Sequence, residues 1–356
     1  MIMRMESLVT WIGGKGKYLD RILPLMPKGG KRYIEPFAGG GSLFLNADGF
    51  GRYYVNDRCP QLFALYTGVQ ERCCPVRSAL KLINIAWWNI GKVFRAREEE
   101  LIAPYLEFRD MQNRYGEFVE RVDRLMRSVK YAEVFPMRYT EDYSFEMEKR
   151  FQYSKMFWRL QKNPPEDESL LKEYVFTAMK MSVYSYFTEL YASGKFAGDQ
   201  ENAILMFLLE YSSNGQFTFD KHGVFRPTYG GRGLNRHSMD GKIAMMKSQE
   251  FKERMAKTKF FGEDAVTFMQ RVRPKEDDFI VLDPPLGKMF KTVGNHTYTD
   301  EEYVVLKEYL SGVKAPWMMT IPKANFDADD AFYAGKHING VGPHGEIVVV
   351  TSYNPG

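Results

Sequence analysis

Short apolar runs separated by glycine turns mark both ends of this chain, and a helical spacing of charged and apolar residues marks its middle. Arg32-Tyr33-Ile34 reads as a strand that runs into Glu35-Pro36-Phe37-Ala38-Gly39-Gly40-Gly41-Ser42, after which Leu43, Phe44 and Leu45 begin a helical pattern. Arg52-Tyr53-Tyr54-Val55-Asn56-Asp57 is a second strand closed by an acid. Strand, glycine turn, helix, strand, acid is the order of a βαβ nucleotide-binding unit. Between about 71 and 200 the apolar positions recur at spacings of three and four, as in Glu107 to Lys130 and Leu170 to Tyr191. Asn163-Pro164-Pro165-Glu166-Asp167-Glu168 breaks that pattern and predicts an exposed turn before a helix that starts near Ser169. Beyond about 260, strand and helix alternate again. Phe279-Ile280-Val281-Leu282 has the unbroken apolar character of a buried parallel strand and ends in Asp283-Pro284-Pro285. A helix from Asp300 to Leu310 and strands near Trp317 to Ile321 and Glu346 to Thr351 complete the pattern.

The expected organisation is therefore a single α/β sheet, built from residues 1–70 and 256–356, that is interrupted by a helical insertion over 71–200 and a further region over 201–255. Composition changes this picture little. Hydrophobic residues make up 44% of the 356 positions, which is ordinary for a globular protein. The aromatic share of 15% exceeds the usual need, so that stacking on bases is a use for some rings once the cores are filled. A net charge of +4 permits a nucleic-acid partner without requiring one. Cys59, Cys73 and Cys74 form neither a disulfide framework nor a metal-ligand spacing, and no metal is expected. They read as reduced thiols of a cytoplasmic protein; the absence of a membrane-length apolar run or a signal-peptide core over Met1 to Ser7 agrees with that.

The glycine turn matches neither G-x-G-x-x-G nor a phosphate-gripping loop. Glu35, just before it, would repel a pyrophosphate but suits a ligand with an ammonium group, and Asp57 at the end of the next strand is placed to accept from a ribose diol. An uncharged nucleoside with an amino-acid tail describes S-adenosylmethionine. An ordinary tight turn with a solvated glutamate fits these residues equally well.

Two further segments add specificity. Trp11-Ile12-Gly13-Gly14-Lys15 precedes the turn, and Asp283-Pro284-Pro285 follows far behind it. In this order the motifs resemble the Dam-like, alpha-class DNA adenine-N6 methyltransferases, whose pattern is W-x-G-G-K, E-P-F-x-G-x-G-S, a strand-end acid, a recognition region and D-P-P-Y. Asn214-Gly215, Gly223-Val224-Phe225, Pro227 and Tyr229-Gly230 fit the family's recognition segment, and Asp264 in Phe260-Phe261-Gly262-Glu263-Asp264 falls where the family places a group beside the cofactor's adenine. The resemblance implies a Rossmann-like class I methyltransferase sheet, S-adenosylmethionine as cofactor, and duplex DNA as substrate with the target base flipped. It assigns the cofactor to Trp11, Lys15, Glu35, Pro36, Phe37, Gly39, Gly41, Ser42, Asp57, Asp264 and Asp283, and catalysis to Asp283, Pro284, Pro285 and Leu286. It also implies a bacterial nucleoid or a phage-infected cell as the setting, in the company of restriction-modification enzymes.

Adenine N6 is a poor nucleophile because its lone pair is delocalised into the ring. Asp283 is placed to accept one N6 hydrogen and the Pro284 carbonyl the other, which favours the pyramidal nitrogen of the transition state. The family's fourth position is an aromatic that stacks on the base; here it is Leu286, and the lost stacking corresponds to roughly 1–3 kcal/mol. Phe290 as a substitute ring, a different target base, and a DNA-binding protein with little catalysis are the three explanations. N4-cytosine methylation and a catalytically weak DNA-binding regulator thus stand as alternatives. DNA contact is expected from Asn214, Lys221, Arg226, Tyr229, Arg232 and Arg236, where cations interleave with rings. The helical insertion has two readings, an extended DNA footprint or a homodimer contact.

Overall fold

The computed structural model describes residues 4–108, 115–136, 142–165, 167–215, 218–219, 225–286, 292–293 and 296–355. They form two compact units. One contains residues 4–73, 218–219 and 244–355, the other 74–215 and 225–243.

The first unit holds a seven-stranded sheet. Its strands are β1 (Gly30–Glu35), β2 (Phe50–Asn56), β3 (Thr258–Phe261), β4 (Phe279–Leu282), β7 (Trp317–Pro322), β8 (His337–Val341) and β9 (Ile347–Thr351); β5 (Thr292–Val293) and β6 (His296–Thr297) pair separately. The order across the sheet is β3-β2-β1-β4-β7-β9-β8. β3, β2, β1, β4 and β7 run parallel, and β9 is antiparallel to both its neighbours. Every residue of β4 and β9 is buried, as an unbroken apolar run requires of a central strand. Chain order reverses between β1 and β4, so loops leaving their C-terminal ends diverge there and leave a crevice.

The helices, in chain order, are α1 (Leu19–Ile22), α2 (Ser42–Asn46), α3 (Pro60–Ala96), α4 (Glu98–Phe108), α5 (Tyr115–Ser128), α6 (Tyr131–Val134), α7 (Asp142–Lys162), α8 (Glu168–Ala192), α9 (Asp199–Glu210), α10 (Asp240–Met245), α11 (Gln249–Lys257), α12 (Ala265–Val272) and α13 (Asp300–Ser311). The unit boundary falls inside α3. Pro75 lacks the amide that would bond the carbonyl of residue 71, and Arg72 leaves helical geometry at φ −132°, ψ 40°. α13 starts with a capping box, in which Thr299 and Glu302 satisfy each other's backbone amides.

The division differs from the boundaries expected at 200 and 255. Residues 201–215 and 225–243 cluster with the helices, and 244–255 with the sheet. A buried polar network accounts for the first part. Glu210 pairs with Lys242 and His237, each at 2.7 Å, and Asn235 joins the Thr177 hydroxyl of α8 (2.9 Å) to the Tyr229 hydroxyl (2.8 Å). Asn84 of α3 donates to Asp240 at 2.8 Å. Breaking one such buried partner strands the other, so these groups hold the segment firmly to the helical unit.

Two lysines without exposure complete that unit. Lys149 lies on α7 and donates to the carbonyls of Met126 (2.8 Å) and Val129 beyond the end of α5, where cations are favoured, and burial lowers its pKa. Lys180 donates to the Trp87 carbonyl with its ammonium 4.2 Å from the Trp87 ring centre, and burial brings its pKa down to about 7.

Candidate functional site

Four acids stand after the C-terminal ends of adjacent parallel strands: Glu35 closes β1, Asp57 follows β2, Asp264 follows β3 and Asp283 follows β4. Glu35 and Asp283 flank the reversal point. The Asp283 carboxylate is held from two sides. Lys15 lies 2.6 Å from one oxygen and 2.7 Å from the other, and the Thr320 hydroxyl donates to Oδ1 at 2.5 Å. Lys15 is nearly inaccessible, with a side chain 6% exposed against 21% for Asp283, so the ion pair is largely dry but open on the carboxylate side.

Glu35 is 1% exposed and receives the Tyr33 hydroxyl at 3.0 Å. Burial pushes its carboxyl well above the ordinary range; the Tyr33 hydrogen bond opposes that shift and the charge of Asp283 adds to it. Burial likewise raises Asp57, against the pull of two backbone amides: Gly39 donates to Oδ2 and Cys59 to Oδ1, both at 2.9 Å. Asn56 ties the strand ends together, donating to the carbonyls of Pro36 (2.9 Å) and Glu263 (3.0 Å) and accepting from the Glu263 amide (2.9 Å).

The glycines of the turn answer first to the protein itself. A Cβ on Gly40 would lie 2.4 Å from the Val9 carbonyl oxygen, and one on Gly39, at φ +49°, would lie 2.7 Å from the Trp11 ring. The close approach expected of a ligand is thus made by residues 8–11, with the Leu8 amide donating to the Gly40 carbonyl at 2.9 Å. Ser42 is buried at the start of α2. Phe37 is partly exposed and meets the Tyr298 ring edge to face at 5.6 Å.

Other sequence expectations meet different surroundings. Asp264 is exposed, and its Oδ1 caps α12 through the amides of Val266 (2.9 Å) and Thr267 (3.2 Å). The Pro284 carbonyl already accepts the Leu286 amide at 2.8 Å, which leaves one lone pair. Leu286 is 5% exposed and joins a core cluster with Ile34, Phe261, Tyr298 and Leu306. It is a packed residue here, not one wall of an open cleft. Leu286→Tyr is therefore expected to overpack the core by about 1–3 kcal/mol and lower the Tm; a thermal melt with an unchanged Tm and faster turnover would show the slot to be vacant.

Those of the proposed DNA contacts that are described fall in the helical unit. Arg226 pairs with Glu189, Arg236 pairs with Glu173, and Arg232 lies 5.5 Å from the Tyr174 ring centre. Tyr229 is 8% exposed and packs among Trp87 and Tyr184, so its ring belongs to the core of that unit. Asn214 lies in a 3-10 turn; Lys221 and Phe290 lie outside the described residues. Among the described residues no group of His, Cys, Asp and Glu is arranged to hold a metal, the three cysteines are free, and no helix is long and apolar enough to cross a membrane. A groove of about 970 Å³, lined among others by Arg273, Lys275, Tyr309 and Lys314, lies at the opposite, N-terminal end of β4 and contains none of the site residues.

Sequence reasoning overlooked Thr320, Tyr33 and Asn56. Thr320 had a signal: a lone hydroxyl between Met319 and Ile321 in an otherwise apolar strand, which calls for a buried partner.

Residues 11–186 match the model of the D12 class N6 adenine-specific DNA methyltransferases. Over these residues the chain is similar to the D12 class, within the Dam-like family. The D12 match takes in Lys15, the glycine turn and Asp57, runs on through most of α8, and ends ahead of Asp283. DNA adenine methylase of Escherichia coli K12 is 35% identical over 116 residues, 31% of this chain and 41% of that relative. The DNA N-6-adenine-methyltransferase of Escherichia phage P1 is 40% identical over 81 residues, 23% of this chain and 10% of its own length. DNA adenine methylase of Serratia marcescens is 36% identical over 95 residues, 26% and 34% of the two chains. The aligned stretch thus spans about two fifths of the Escherichia coli relative. A D12-class methyltransferase requires a methyl donor.

Proposed function

We propose that this chain is an S-adenosylmethionine-dependent DNA methyltransferase that modifies adenine N6 of a base turned out of the duplex, on a Rossmann-like sheet to which the helical unit is an insertion. The observation that carries the reading is the carboxylate of Asp283, gripped by Lys15 and Thr320 and set one strand away from Glu35 at the reversal point of the sheet.

The residues present suit that cofactor. Asp283 faces the buried ammonium of Lys15, and burial makes Glu35 and Asp57 costly to ionise. Such a region favours a ligand that is cationic and uncharged by phosphate. Glu35 would meet its ammonium end, Asp57 its ribose diol and Asp264 its base end. S-adenosylmethionine, when bound, supplies a methyl group on a sulfonium centre. Asp283 accepts one hydrogen of the target amine, and the free lone pair of the Pro284 carbonyl accepts the other, which localises the nitrogen lone pair. Lys15 and Thr320 fix the direction of the Asp283 carboxylate, so that it needs no reorganisation when the amine arrives.

Donor carrying a labelled methyl group, incubated with unmodified DNA and followed by nucleoside analysis, tests this. Label in N6-methyladenine is the expected result. Label in N4-methylcytosine would transfer the same site to the other exocyclic amine. DNA binding without label would favour a catalytically weak regulator, a second reading supported by the burial of Leu286 where the family has a stacking ring.

A further inference from the structure

α7 has an unusual outer face. Its inner positions, Phe145, Lys149, Gln152, Tyr153, Met156 and Phe157, are buried, as the amphipathic pattern demands. The outward stripe should be polar. Instead Met147, Phe151 and Trp158 are 50%, 58% and 48% exposed, and Lys155, Arg159 and Lys162 are exposed between and beyond them. Positions 151, 155, 158 and 162 follow i, i+4, i+7, i+11 and so share one face. The described acids of the helix, Glu146 and Glu148, lie on its earlier turns and are occupied, Glu146 by Lys149 and Glu148 by Gln152. Among the described residues Lys155, Arg159 and Lys162 make no ion pair with an acid. Lys155 lies 5.7 Å from the Phe151 ring centre, which preorders both side chains.

The stripe does not end at the helix. Tyr174 of α8 has the guanidinium of Arg159 on its ring at 5.5 Å and that of Arg232 at 5.5 Å. One ring therefore joins α7 to the segment 225–243.

We infer that this face, from Phe151 and Lys155 through Trp158, Arg159 and Lys162 to Arg232, binds duplex DNA. The inference rests on the DNA methyltransferase reading for the identity of the polyanion. Unpaired cations interleaved with exposed rings complement a phosphate backbone and its sugars and bases, whereas a second copy of the chain would bring the same positive charge against itself.

The test is the affinity of the full chain for a fluorescently labelled mixed-sequence duplex at several salt concentrations. Lys155→Gln/Arg159→Gln/Lys162→Gln should weaken binding at least about tenfold and reduce the salt slope by about two to three, since each released counterion contributes about 0.9. Trp158→Ala should weaken binding about tenfold without changing the slope. Both variants should retain the wild-type Tm and the wild-type rate of label transfer at saturating DNA. Unchanged affinity and slope in the triple variant overturn the inference, as does a loss of self-association with DNA binding intact. Label transfer that persists while the stripe has no effect on binding sinks this inference alone; stripe-dependent binding without any label transfer sinks the methyltransferase reading alone. A wild-type chain that does not bind DNA overturns both.

Discussion

Asp283→Ala is expected to reduce methyl transfer by at least about 10²–10⁴-fold, the loss typical of a positioned proton acceptor or charge-stabilising group. The carboxylate sits at the end of β4 in contact with Lys15 and Thr320, and it is the more exposed member of the ion pair. Removing it also strands Lys15, a buried ammonium whose remaining acceptor is the Gly13 carbonyl at 2.7 Å. Leaving such a charge unpaired costs about 3–5 kcal/mol, so a fall in activity could come from unfolding alone. Lys15→Met in the same chain removes the stranded charge. The double variant should recover the wild-type Tm and still transfer no label in a single-turnover assay. Transfer within tenfold of wild type in either chain would remove Asp283 from the chemistry.

Glu35→Gln should act in opposite directions on stability and on donor binding. The carboxyl has an ordinary value of 4.5, which burial raises well above that in the folded chain. As pH climbs from about 4.5 the unfolded chain releases this proton while the folded chain retains it, so the group takes stability away as pH rises, until its folded-state pKa is passed. Glutamine has no proton to lose. The donor-free variant should therefore melt above wild type at pH 8, with a gap that shrinks toward pH 5, at about 2–4 °C per kcal/mol for a domain of this size. Donor binding measured by calorimetry should fall at least about tenfold, because an anionic partner for the ammonium is gone. Equal melts at pH 8 and equal donor affinity would place Glu35 outside the binding machinery.

The strands that carry these acids were readable because each is a short apolar run closed by a polar residue: β1, β2, β4, β7 and β9 fall where the pattern put them. β8 was not readable. It is an edge strand, exposed over most of its length and with a glycine at 340, so packing, not composition, makes it a strand. Candidate acids were legible from their places after strands. Thr320 was legible only as a buried hydroxyl in need of a partner; that it orients Asp283, 37 residues earlier, was not, because pairing of β4 with β7 is a property of the sheet. Tyr229 shows the converse: its neighbours in sequence suggested a DNA contact, and its neighbours in space are Trp87, Tyr184 and Asn235.

The seating of Val9 and Trp11 on the glycine turn bears on how the chain can be shortened or fused. Clipping away the segment through Lys15 would uncover Gly39 and Gly40 and remove the cation that faces Asp283. An affinity handle placed ahead of Leu8 would sit beside the glycine turn, and one placed after Tyr353 would hang from the far end of β9.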